Sequence, residues 1–133
     1  MASLHPDPTT GTPEDLSAAF AAALARGDVE AALEMWVEDA TIITADGDPV
    51  RGREAIGVAL RGLIDNGADV GIELKRTIAA GDVALGLGTL TLSGVGEDGE
   101  SFRHESSSTV IYTRGADRRW RIALDAPWGL PQD

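Results

Sequence analysis

The stretch GDVEAALEMWVEDATIITADGDPVRGREAI, Gly27 to Ile56, decides how the rest of the chain is read. Its glycine suits the left-handed residue after a helix, and Asp28 offers a side-chain acceptor to the first N–H groups of the next one. Val29, Ala32, Leu33, Trp36 and Val37 recur at helical spacing and are expected to form a buried face, with Glu30, Glu34 and Glu38 toward solvent. Asp39 and Ala40 break that period, and Asp39 is expected to tie down the following turn. Thr41 to Thr44 is compact and β-branched, as a strand should be, and Asp46-Gly47 is a strong hairpin signal. Val50 to Gly52 return along that hairpin. A third helix is predicted from about Arg53 to Asn66 on the apolar positions Ile56, Ala59, Leu60, Leu63 and Ile64.

Upstream, Thr12, Pro13, Glu14 and Asp15 have the form of a helix start: a capping hydroxyl, proline at the first helical position, and acids near the positive end of the dipole. That first helix runs to about Arg26, with Leu16, Phe20 and Leu24 as its inward stripe beside Ala19 and Ala23. Residues 1–12, rich in proline and polar residues, are expected to be a disordered tail. Downstream, extended segments over about 70–80, 82–93, 101–114 and 118–126 are separated by Gly81-Asp82 and by Gly94 to Gly99. They make an antiparallel meander. Ala84, Gly86 and Gly88 share one face of their strand, where they are expected to let the sheet bend. Three helices followed by a curved sheet make an α+β fold in one domain, residues 13–129, with a short tail at 130–133.

The totals exclude several functions. With 133 residues and no cysteine, there is no disulfide framework, thiolate nucleophile or cysteine-ligated metal site. Twenty-two acidic against eleven basic residues, net −11, repel phosphate backbones and anionic lipid, so neither a nucleic acid nor a membrane partner is expected. No leader-like segment or spanning run is present, so a cytoplasmic protein is expected. Gly94 to Gly99 fits G-x-G-x-x-G, but no helix follows it, and two acids sit where a pyrophosphate would lie. His104-Glu105 lacks the second histidine of a zincin motif, and Pro49 and Val50 break the calcium-loop series begun by Asp46. No cofactor and no metal are expected.

The order helix, helix, short hairpin, helix, long meander, together with LARGDVEAALEMWVEDATI, DPVRGREAI and WRIALDAPWG, resembles the nuclear transport factor two-like superfamily. That group includes ketosteroid isomerases, SnoaL-type polyketide cyclases and small bacterial proteins of the YybH and SgcJ kind. The resemblance implies a cone-shaped barrel: a strongly curved, mostly antiparallel sheet wraps the third helix, and the first two helices close a cavity. Phe20, Trp36 and alternate residues of the meander would line it. It also implies that the isomerase's catalytic aspartate falls on Thr44, its helix-one tyrosine on Phe20 and its partner acid near Ser106. Isomerisation by those usual residues is therefore not expected.

Along FRHESSSTVIY, alternation puts Phe102, His104, Ser106, Ser108, Val110 and Tyr112 on one side, and the alignment at Ser106 makes that side concave. His104 is the one histidine outside the tail, and its unperturbed pKa lies near neutrality. Asp125 interrupts an otherwise apolar last strand. SnoaL-type cyclases pair an acid/base aspartate with a histidine, and His104 with Asp125 is the analogous catalytic pair. Each also has a structural reading: His104 as a hydrogen-bonded rim residue, Asp125 as an acceptor for backbone near Pro127. The candidate pocket lining is Phe20, Trp36, Thr44, Ser106, Ser108, Tyr112 and Trp128; for the aromatic residues Phe20, Trp36 and Trp128, core packing is the competing reading.

Two functions follow. The first is a small-molecule pocket protein, acting as a cofactor-independent cyclase, isomerase or hydrolase on a hydrophobic carbonyl compound. The second is a non-catalytic ligand-binding or dimerisation domain. The resemblance further implies a homodimer through the open sheet face, with Arg103, Glu105, Thr109, Ile111 and Thr113 on that surface.

Overall fold

A computed structural model describes residues 11–44 and 46–127. The expected tails at 1–12 and 130–133 lie wholly or largely outside the described residues. The elements are α1 Pro13–Ala25, α2 Val29–Glu34, β1 Trp36–Ile43, β2 Pro49–Arg51, α3 Arg53–Asp65, β3 Asp69–Ala80, β4 Val83–Val95, β5 Ser101–Arg114 and β6 Trp120–Ala126. Thr12 caps α1 reciprocally: the Asp15 backbone donates to its hydroxyl at 3.2 Å, and its own N–H donates to the Asp15 carboxylate at 3.1 Å. Asp28 accepts from Ala31 N at 3.1 Å and so starts α2. No helix among the described residues is long and apolar enough to cross a membrane.

The first strand starts earlier than its composition suggests. α2 stops after six residues, and Trp36 and Val37, read above as helical, open β1 instead. Tertiary contacts decide this. The Ile122 N–H donates to Met35 O at 2.8 Å, and Arg53 holds Trp36 O with Nε at 3.0 Å and Nη2 at 2.5 Å. Those partners reach the chain only once it is extended along β6. Asp39 therefore lies within a strand rather than at a helix end.

The sheet is open and mixed, in the order β2-β1-β6-β5-β4-β3, with β1 parallel to β6 and the other neighbours antiparallel. Helices packed on one face complete the cone-like α+β architecture. Two glycines of β4 are required by contact rather than by bending alone. A Cβ at Gly88 would run into Glu73 O, beside the register irregularity between Leu74 and Arg76. One at Gly86 would lie 2.9 Å from the Tyr112 ring. The core gathers Leu16, Phe20, Trp36, Ile56 and Tyr112, all buried.

Candidate functional site

Cross-strand pairing arranges the inner face in rows. Ile42, Asp125 and Val110 are neighbours in one row; Trp36, Ile122 and Tyr112 form the next. Between these rows the register of β6 shifts: Ile111 faces Leu124, but Tyr112 faces Ile122, which leaves Ala123 as an extra residue. Simple alternation from Trp120 and Ile122 would turn Leu124 inward and Asp125 outward. The bulge reverses this, as an inserted residue must, and leaves Asp125 only 8% exposed.

Asp125 faces a cavity of about 60 Å³. Ser17, Phe20 and Leu24 of α1 form one wall, Leu60 and Leu63 of α3 another, and the sheet the rest. The expected wall from the second helix is supplied by α3 instead, and β1 contributes Ile42 rather than Trp36 or Thr44. The volume holds about four waters at the roughly 15 Å³ each needs, so it suits a small molecule or the end of a longer one.

The polar groups are few. Ser17 Oγ and Tyr112 Oη share a 2.5 Å hydrogen bond, and Ser108 faces the same space. Asp125 Oδ1 is buried without a hydrogen-bond partner among the described residues. Burial pushes the Asp125 carboxyl up to about 7, because the apolar surroundings penalise its charged form. Burial likewise pushes the Tyr112 phenol up to about 12, opposed by the Ser17 hydrogen bond. The Tyr112 ring reaches Ser17 across Gly86, where any larger residue would block it.

Of the residues singled out from the sequence, Phe20, Ser108, Tyr112 and Asp125 line this cavity together. Trp36 lies behind it, fully buried and edge-on to Phe20 with ring centroids 5.7 Å apart. Ser106 donates to Pro127 O at 2.7 Å. Thr44 follows β1, where its N–H donates to Asp48 O at 2.9 Å. Trp128 lies outside the described residues. His104 sits opposite Leu92, at the cavity's far end, but is itself exposed. It stands six residues before Val110, about 20 Å along the strand. The structure does not bring His104 and Asp125 together. Ser17 was not foreseen, although a hydroxyl in register with Phe20 and Leu24 on the helix's apolar stripe is a legible signal. Gly86, whose lack of a side chain admits the Tyr112 ring, carries no such signal, because only the β4–β5 register reveals its neighbour.

A three-helix, open-sheet cone with a small apolar cavity between helices and sheet defines the nuclear transport factor two-like class of pocket proteins. Residues 17–122 match the SnoaL-like domain model, and the chain belongs to that family. Solved structures agree on the fold. An NTF2-like protein with a cystatin-like fold from Novosphingobium aromaticivorans is 23% identical over 84% of this chain and 75% of its own, with a TM-score of 0.72. A ketosteroid isomerase-like protein from Erwinia carotovora atroseptica is 14% identical over 85% and 89%, TM-score 0.74. A protein from Xanthomonas campestris described as a calcium/calmodulin-dependent protein kinase II association domain is 18% identical over 98% and 100%, TM-score 0.73. No curated protein matches the chain.

Proposed function

We propose that this SnoaL-like protein transfers a proton on a small, apolar carbonyl compound, with Asp125 as the acid/base group. The observation that carries the reading is a buried carboxyl, its Oδ1 without a partner among the described residues, lining an apolar cavity and held near neutrality by burial. Catalytic acids and bases work best when their pKa lies near the working pH. Ionised Asp125 takes a proton from the carbon next to the carbonyl. The resulting enolate oxygen accepts a hydrogen bond from Tyr112 Oη, and the carboxyl then returns the proton to carbon or oxygen. Either hydroxyl can donate in the Ser17–Tyr112 hydrogen bond; this step uses the arrangement in which Ser17 Oγ donates, leaving the phenol proton to turn into the cavity.

The test needs no knowledge of the natural substrate. Incubated with cyclopentanone in deuterium oxide, the protein is expected to speed deuterium uptake at the α-carbon, more strongly above pH 7. Asp125→Asn is expected to lose about 10²-fold or more of that acceleration. Exchange equally fast in the variant sinks the reading.

A second reading rests on the outer sheet face, where Ile78, Val83 and Leu87 are 46%, 48% and 36% exposed. Such patches mark contact surfaces, and we infer a homodimer through that face, with Arg103 and Glu105 on the same side. Light scattering is expected to give twice the chain mass of 13.9 kDa, and Leu87→Lys is expected to halve it. A wild-type particle of 13.9 kDa excludes the dimer.

A further inference from the structure

We propose that the cavity binds small lipophilic amines, held as an ammonium against the Asp125 carboxylate. This rests on reading the cavity as a small-molecule site, but not on its turning anything over.

Four observations converge on a cation. Asp125 lines the cavity, and its buried Oδ1 has no hydrogen-bond partner among the described residues, so the carboxyl lacks a donor that a ligand can supply. Among the described lining residues none is Lys, Arg or His, so nothing in the wall competes for the carboxylate or repels an ammonium. Phe20 and Tyr112 line the same wall and add aromatic surface for a cation's hydrocarbon and charge. Outside the cavity, the net charge of −11 raises the local concentration of any cation near the mouth and lowers that of anions. A carboxylate ligand meets the opposite case on every count.

The neighbours of Asp125 set the pH dependence. β5 contributes Tyr112 and Ser108, α1 contributes Ser17 and Phe20, α3 contributes Leu60 and Leu63, and β1 contributes Ile42. Tyr112 is the one other titratable group among them, and its raised pKa keeps it neutral across the physiological range. The carboxyl of the free protein is protonated below about 7. An ammonium binding there must expel that proton. Affinity therefore falls about tenfold per pH unit below 7, and is flat from 7 up to about 10, where the amine itself deprotonates.

The experiment uses a matched series, cyclopentylamine, cyclopentanol and cyclopentanecarboxylate, titrated into the whole protein and followed by NMR shifts. At pH 8 the amine is expected to bind at least tenfold more tightly than the alcohol, and the carboxylate not at all. Lowering the pH to 6 is expected to weaken the amine about tenfold and leave the alcohol unchanged. In Asp125→Asn the amine is expected to fall to the level of the alcohol. Should that variant fail to fold, the wild-type pH profile decides alone. Equal binding of amine and alcohol, or an amine affinity indifferent to pH, overturns the proposal. Loss of amine binding with intact deuterium exchange into cyclopentanone overturns it and spares the proton-transfer reading. Amine binding without exchange supports it and removes that reading instead.

Discussion

Strand β5 has two ends that alternate in the same way and live in different solvents. From Ser108 to Tyr112 the inward residues are buried, and they meet Asp125 and Ile122 across the bulged β6. From Ser101 to Glu105 every residue is exposed, although His104 has the same parity as Ser108 and Tyr112. The difference is the roof. α1 packs against β3 and β6 and α3 against β1 and β2, whereas Ser101 to Glu105 of β5 stay exposed. Facing the concave side therefore does not put a residue in a site; a covered position does. The expected outcomes below probe that contrast, beginning where burial matters most.

The largest expected effect is the pH dependence of stability at the covered end. The folded pKa of Asp125, about 7, lies above its ordinary 3.8. Between those values the folded protein keeps a proton that the unfolded chain has released. Stability therefore falls as pH rises from about 4 to about 7, by about 1.4 kcal/mol per unit and about 4 kcal/mol in all, and is flat above. Urea denaturation of wild type and Asp125→Asn across this range isolates the effect, since other carboxylates cancel in the difference. A pH-independent difference would falsify the buried, raised carboxyl.

Gly88→Ala comes next. Its new Cβ would meet Glu73 O, a backbone atom, so strand β3 must move away at the bulge. Overpacking of this kind costs about 3 kcal/mol. A midpoint in urea within experimental error of wild type would show that the β3–β4 pair yields at this point without cost.

Tyr112→Phe is smaller. It leaves the buried Ser17 hydroxyl without its 2.5 Å partner, at about 1–2 kcal/mol. Removing both hydroxyls in Ser17→Ala with Tyr112→Phe is expected to recover part of that loss, because two apolar partners leave nothing unsatisfied. Strict additivity in this double-mutant cycle would mean the hydrogen bond does not form in solution.

The contrast also explains what could be read in advance. Features decided within a few residues were legible: the Thr12–Asp15 cap, the Asp46-Gly47 turn, and the three long strands, whose ends fall within two residues of expectation. β1 begins earlier than its local composition suggests because its opening turn is chosen by Arg53 and Ile122, both distant in sequence. The position of Asp125 was legible only as an anomaly in an apolar strand. Its inward direction depends on the extra residue at Ala123, which no local composition marks, since alanine fits a strand and a bulge alike. Burial of one end of β5 and not the other depends on where the helices lie, a fact that strand periodicity does not contain.

That leaves His104 as the sharpest control. It is the natural partner for Asp125 on sequence grounds, being the one histidine outside the expected tail. On the exposed stretch of β5, about 20 Å along the strand from the carboxyl's row, it is too far to exchange a proton with a substrate held against Asp125. His104→Ala is the variant that tests this. It is expected to leave the deuterium exchange rate into cyclopentanone, and its pH profile, as in wild type. A tenfold loss of exchange with the fold intact would mean that the outer ribbon folds back over the cavity in solution. The two ends of β5 would then form one site, and the contrast between them would be an effect of the open conformation.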